Sequence, residues 1–366
     1  MLLPDRRGRL ATLLAVAGLI AAACSSNSGA ATTAPSVAGP SASASSEASA
    51  SASGSAAGGA LSVTFIPKQI NNPYFDAAKQ GADKAAGELG GTVTQVGPSA
   101  ATEAQASFIQ DETTKGVSAI AISANDPNAV VPALQAAKAA GIKIVGYDSS
   151  PAVGAYDVFV NQTDFGLIGQ SMADWSCDLA PSCSGEIAIL SAAATATNQN
   201  AWIDTMKTIL AGDKYKGLKL VDTVYGDDDP QKSTTQAQAL LQAHPNLKVI
   251  VAPTTVGILA AAQVVSQQKK SDSIKVTGLG FPNDMKPYVH DGTTPVFGLW
   301  SVPDLGYLAY TVADKLVKGE ITGKEGETFT VPSLNNGQPY TIGKDSVVTL
   351  GPAFKFDASN VDQFNF

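Results

Sequence analysis

From residue 61 to the end of the chain, short apolar runs alternate with helix-patterned segments, and this alternation constrains the fold more than any other feature. The runs 61–66, 118–123, 142–147, 186–190, 218–224, 249–252 and 274–279 have the length of strands, and helical segments fall between them at 128–140, 201–210, 231–243 and 256–268. The first helix is the most explicit. Asn72 is placed to cap it and Pro73 to open it; Phe75, Ala78, Ala82, Ala85, Ala86 and Leu89 recur on one face, and Gly90-Gly91 stops it. Apolar strands bounded by helices imply parallel sheets covered on both faces, hence an α/β architecture. The 306 residues from Leu61 to Phe366 exceed what one core usually supports, so two lobes are expected.

In open parallel sheets ligands bind beyond the carboxyl ends of the strands. The residues that follow the strands are Pro67-Lys68, Asp148, Ser191, Pro253-Thr254-Thr255 and Pro282-Asn283, with Tyr74, Phe75, Trp202 and Trp300 nearby. Isolated carboxylates, amides and hydroxyls beside aromatic faces suit a neutral polyol. A carboxylate accepts from two adjacent hydroxyls, Lys68 donates, amides do both, and aromatic rings cover the C–H faces of a sugar. Each residue also has a plainer role open to it. Asp148 before Ser149-Ser150-Pro151 can cap a turn, and Asn198-Gln199-Asn200 can be a loop and cap ahead of the helix at 201, which spacing alone favours. Lys68 can be a surface lysine, and Trp202 and Trp300 core residues.

Several chemistries find no support. Asp148 is the one carboxylate at a strand end, and Asp227-Asp228-Asp229 reads as a solvated turn, so no facing acid pair for glycoside hydrolysis is expected. No G-x-S-x-G elbow exists, and Gly278-x-Gly280 lacks the third glycine of a dinucleotide fingerprint. The chain has only two histidines, neither near a cysteine, so neither metal nor other cofactor is expected.

The first 60 residues concern location. Arg6, Arg7 and Arg9 precede an apolar run, 10–23, that ends in small residues, as a secretory signal does. The run is too short for a comfortable membrane span, which needs ~20 residues. Ala21-Ala22-Ala23-Cys24 resembles a bacterial lipobox, with Ala21 where Leu is usual; lipidation at Cys24 competes with a plain signal peptide. Ser, Ala, Gly and Thr dominate 25–60, and such a segment acts as a flexible tether reaching roughly 30–36 Å. The net charge of −8 becomes −10 once three arginines and Asp5 are removed with residues 1–23, which argues against nucleic acid or anionic lipid as partner. In an oxidising compartment Cys177 and Cys183 are expected to form a local disulfide.

Taken together, several stretches resemble the periplasmic sugar-binding proteins of ABC importers, in particular the rhamnose-binding subgroup and the related Lsr receptors for autoinducer-2. They are Phe65-Ile66-Pro67-Lys68, Asn72-Pro73-Tyr74-Phe75-Asp76, AIAISANDPNAVVP at 119–132, Tyr147-Asp148-Ser149, Asn161-Gln162, IAILSAAATATNQNAW at 187–202, APTTVG at 252–257, Pro282-Asn283-Asp284-Met285 and Phe297-Gly298-Leu299-Trp300. The resemblance implies a type I periplasmic-binding fold with three crossovers: one lobe of 61–161 and 301–324, the other of 162–300 and 325–366, closing by hinge motion. It also implies a receptor, not an enzyme, monomeric, held to the membrane by its lipid and serving permease subunits. The autoinducer-2 pattern falls on Lys68, Asp148, Asn198, Gln199, Pro253 and Thr255. Aspartate and alanine are usual in place of Asn198 and Thr255, and the forms seen here look like the rhamnose subgroup. With Asn72, Tyr74, Phe75, Trp202, Asn283 and Trp300 these make up the candidate ligand contacts. L-Rhamnose is the expected ligand and Asp148→Ala the substitution expected to abolish binding with the fold intact. Autoinducer-2 reception is the alternative and an exported glycosidase a remote one; a sugar-responsive repressor would need a helix-turn-helix in place of the signal.

Overall fold

A computed structural model describes residues 60–100 and 103–366. The expected signal segment, Cys24 and all but the last residue of the expected tether lie outside the described residues.

The first sheet is built from β1 (Ser62–Ile66), β2 (Thr92–Gln95), β3 (Ala119–Ile122), β4 (Lys143–Tyr147) and β5 (Val158–Asn161). Its helices are α1 (Pro73–Leu89), α2 (Ala106–Lys115) and α3 (Val131–Ala139). The second follows α4 (Phe165–Leu179) and contains β6 (Gly185–Ser191), β7 (Leu218–Tyr225), β8 (Leu247–Ala252) and β9 (Lys275–Gly278), with α5 (Thr197–Leu210), α6 (Pro230–Ala243), α7 (Thr255–Gln267) and α8 (Pro282–His290). Then come β10 (Val296–Leu299), α9 (Val302–Lys318), the two-stranded ribbon of β11 (Thr328–Phe329) and β12 (Tyr340–Thr341), β13 (Val347–Thr349) and β14 (Phe354–Asp357).

The strand orders are β13-β5-β4-β3-β1-β2 and β7-β6-β8-β9, parallel throughout. Alternate residues of the first sheet enter opposite apolar clusters. Val63, Phe65, Ala119, Ala121, Val145 and Tyr147 pack on the α1 and α9 side, while Ile120, Ile122 and Ile144 meet Ile109 of α2 and Leu134 of α3. Both faces are covered, as the unbroken apolar runs require. The order reverses at β1/β3 in the first sheet and at β6/β8 in the second, and these switch points are where crevices open at the carboxyl ends.

Helix α1 carries two cavity residues, Tyr74 and Phe75, with its cap Asn72 a third, and its seat is set by close packing on α9. A Cβ on Gly81 would lie 1.7 Å from the Pro303 carbonyl oxygen, and one on Gly306 1.7 Å from that of Ala78, so only glycine lets the two backbones touch. Asn72 caps α1 as expected, its side chain accepting from the Tyr74 N–H at 3.0 Å. Cys177 and Cys183 are joined, tying the end of α4 to the turn before β6.

Two boundaries depart from the sequence expectation. Strand β13 pairs with β5 in the first sheet, Val347 opposite Phe159, whereas β14 pairs with β10 beside the second. Segment 325–366 is therefore not wholly part of the second lobe, and the last crossing between sheets falls between 349 and 354. Strand pairing across 188 residues leaves no local pattern to read. Helix α5 begins at Thr197, four residues before the periodicity suggested, so Asn198 lies inside the first turn, where its side chain accepts from the Gln199 N–H at 2.9 Å instead of capping the helix from outside.

Candidate functional site

The carboxyl ends of the two sheets face one cavity of ≈ 360 Å³, lined by Lys68, Asn72, Tyr74, Phe75, Asp148, Asn198, Gln199, Trp202, Asp228, Pro253, Thr254, Thr255, Leu279, Leu299 and Trp300. Polar bonds cross directly between the walls: Lys68 Nζ donates to Asn198 Oδ1 at 3.3 Å, and Asn198 Nδ2 to Asp148 Oδ1 at 3.1 Å.

Asp148 follows β4 with φ 60°, a left-handed backbone that Asp tolerates better than most residues and that turns the carboxylate inward. Its Oδ1 accepts from Tyr74 Oη (3.1 Å), Asn198 Nδ2 (3.1 Å) and Gln162 Nε2 (3.5 Å); Oδ2 accepts from Ser123 Oγ at 2.7 Å and lies 3.5 Å from Lys68 Nζ. A carboxylate has about four lone-pair sites, so protein donors already saturate it. Tyr74 Oη also accepts from Trp300 Nε1 at 3.0 Å. Burial first, then the Asp148 charge, pushes the Tyr74 hydroxyl well above its ordinary value, which keeps it a donor to Asp148.

Lys68 is 4 % exposed and is held through its main chain, its carbonyl accepting from Asn125 Nδ2 at 2.7 Å. Asn125 N–H donates to Gln105 Oε1 at 2.8 Å, and Gln105 Nε2 bonds the carbonyls of Pro67 and Ser123 at 2.9 and 2.8 Å, so one buried glutamine clamps the ends of β1 and β3. On the opposite wall Gln199 Oε1 accepts from Ser191 Oγ (2.6 Å) and the Ala192 N–H (2.8 Å), which fixes the orientation of its amide. Trp202 is 1 % exposed, and its indole N–H has no partner among the described residues, an unmade donor in a cavity wall.

Eleven of the twelve candidate contacts line the cavity; Asn283 does not. It is exposed on α8, donating to Asn365 Oδ1 at 3.2 Å and accepting from Lys286 Nζ at 3.0 Å. The chain leaves the wall at Leu279, and Pro282 already starts a helix on the surface, so the strand-end rule reaches too far there. Asp228 is the reverse case. The turn expected to be solvated holds a carboxylate 7 % exposed, φ 53° and 52° at Asp227 and Asp228 turning it inward, where the Thr254 hydroxyl donates to Oδ1. Asp148 is thus not the only strand-end acid in the cavity. Burial pushes the Asp228 carboxyl up, with Lys68 and the Thr254 bond opposing. A usable signal was present: Asp229 before Pro230 is the natural cap, and a run of three acids with one cap leaves the others unexplained. Leu279 and Leu299 were missed because apolar strand ends read as core.

A model of the periplasmic binding protein domain matches residues 63–321. The ribose import binding protein RbsB of Escherichia coli is 26% identical over 260 residues, 71% of this chain and 86% of that protein. An ABC transporter solute binding protein of Clostridium phytofermentas, solved with bound L-rhamnose, superposes with TM-score 0.80 at 41% identity, over 83% of this chain and 97% of that one. LsrB of Clostridium saccharobutylicum, in complex with AI-2, superposes with TM-score 0.78 at 25% identity, over 84% and 100%.

Proposed function

We propose, from the premise that the chain belongs to the periplasmic binding protein family and is a sugar-binding solute receptor of an ABC transporter, that its ligand is a 6-deoxyhexose, L-rhamnose first. Members of the family are transport receptors working outside the cytoplasm, not enzymes.

The observation that carries the deoxyhexose reading is a gradient along the second sheet. In spatial order the wall presents Asp228 after β7, Asn198 and Gln199 after β6, Pro253 to Thr255 after β8, Leu279 after β9, and Leu299 with Trp300 after β10, which adjoins β9 through the Leu279–Gly298 bridge. One end of this wall offers hydrogen bonds and the other, at Leu279 and Leu299, offers apolar surface. A pyranose with hydroxyls on one side and a methyl on the other matches both ends. Lys68 and the Trp202 N–H donate to its oxygens, and the methyl group sits against Leu279 and Leu299. The L-rhamnose on the Clostridium phytofermentas protein supports the same assignment.

Calorimetry with L-rhamnose, L-mannose, D-ribose and autoinducer-2 tests this. L-Mannose differs from L-rhamnose only by a hydroxyl in place of a methyl hydrogen. Burying that group unpaired should weaken binding roughly tenfold or more. Equal affinity for the two, or tighter binding of ribose, rejects the assignment. A second reading, autoinducer-2 reception, is supported by the convergence of Lys68, Asp148, Asn198, Gln199, Pro253 and Thr255 on one cavity and by the likeness to LsrB. It requires autoinducer-2 to outbind L-rhamnose in that panel.

The monomeric state and the anchor at Cys24 belong to the same proposal. Cys24→Ala should move the protein from the detergent phase to the aqueous phase in a detergent partition of whole cells, and identical partitioning would sink lipidation.

A further inference from the structure

We propose that Asp228 is a specificity-determining ligand contact: its carboxylate accepts a hydroxyl of the bound sugar and its charge excludes anionic sugars. The inference rests on the sugar-receptor reading and goes beyond the contacts that reading assigns.

Three acids follow β7, and two of them are accounted for. Asp229 caps α6, its Oδ1 accepting from the Lys232 N–H at 2.6 Å, and Asp227 pairs with the Lys232 ammonium. Asp228 does neither. Two successive left-handed residues bring it into the cavity wall, where the Thr254 hydroxyl takes one oxygen and leaves acceptor capacity on the carboxylate. Its carbonyl accepts from Nε2 of Gln69, the residue after Lys68, at 3.0 Å, a bond that ties this turn to the end of β1.

A purely structural role is a poor fit. An asparagine oxygen would accept from Thr254 as well, without the burden of a buried charge, and that burden is evident in the raised carboxyl. Among the lining residues Lys68 is the one cation, against the two carboxylates Asp148 and Asp228. With both ionised the cavity carries a net negative charge, which repels a uronate or a sugar phosphate and leaves a neutral polyol unaffected.

Asp228→Asn tests this, with calorimetry on L-rhamnose, D-ribose and D-galacturonate and melting of the unliganded protein. The expected result is a roughly 10–100-fold loss of L-rhamnose affinity, as for a lost bond to a charged group. Melting temperature should be unchanged or higher, and galacturonate should gain relative to rhamnose. Affinity within twofold of the unaltered protein overturns the proposal, as does an affinity loss accompanied by a lower melting temperature. Thr254→Val provides the second arm: an equal affinity loss there would mean that Asp228 only anchors Thr254. If the unaltered protein prefers ribose, the deoxyhexose assignment fails, while the Asp228→Asn ratio read on ribose still decides this one.

Discussion

The two walls of the cavity each present a buried aspartate in left-handed backbone just after a strand, and the two are differently employed. Asp148 on the first sheet is met by Tyr74, Ser123, Gln162, Asn198 and Lys68. Asp228 on the second is met by Thr254 and keeps acceptor capacity. Residue type and left-handed backbone are the same, and what differs is how many donors the surrounding elements deliver. A saturated carboxylate organises its neighbours; a partly satisfied one is available to a ligand.

The largest effect should come from Asp148→Ala. Binding should be lost, but the donors around Asp148 would also be left buried without an acceptor, and losing one member of such a set costs about 3–5 kcal/mol. Chemical denaturation should show that drop, contrary to the intact fold expected from the sequence alone. A variant as stable as the unaltered protein would break the contrast between the two walls. Asp228→Asn comes next, with affinity falling and stability not.

The smallest effect is in pH dependence, and it sharpens the same contrast. Burial raises the folded-state carboxyl of Asp228, with Lys68 and Thr254 opposing and Asp148 and Asp227 reinforcing. The folded chain therefore holds that proton to higher pH than the unfolded chain. The stability contributed by the group is complete below the ordinary carboxylate range and lost as pH rises through the raised value. Scanning fluorimetry of the unliganded proteins should find Asp228→Asn ahead of the unaltered protein at neutral pH, by a margin that narrows as pH falls into the ordinary carboxylate range. A margin that does not change with pH would remove the buried charge from the account.

Much of the site was legible where the signal was local. Asn72-Pro73 opens α1 as read, because capping depends on a few adjacent residues, and Lys68 and Asp148 could be named because strand ends are visible as the close of an apolar run. Asn198 and Gln199 were harder. Amides favour caps and loops, yet here Asn198 bonds the helix backbone within the first turn, and α5 thereby delivers both side chains to the cavity. Asn283 and Asp228 exchanged places for a related reason: one sits on a helix that carries it to the surface, the other on two positive-φ residues that turn it inward.

The sequence by itself determined the alternation of strand and helix, the parallel sheets it implies, and most of the polar groups at the strand ends, because each depends on side-chain periodicity over a few residues. Tertiary structure alone decided that β13 joins the first sheet, that α1 meets α9 backbone to backbone, and that Asp228 faces the cavity. Those outcomes depend on pairing between distant segments and on single backbone torsions, and neither leaves a periodic trace in the order of residues.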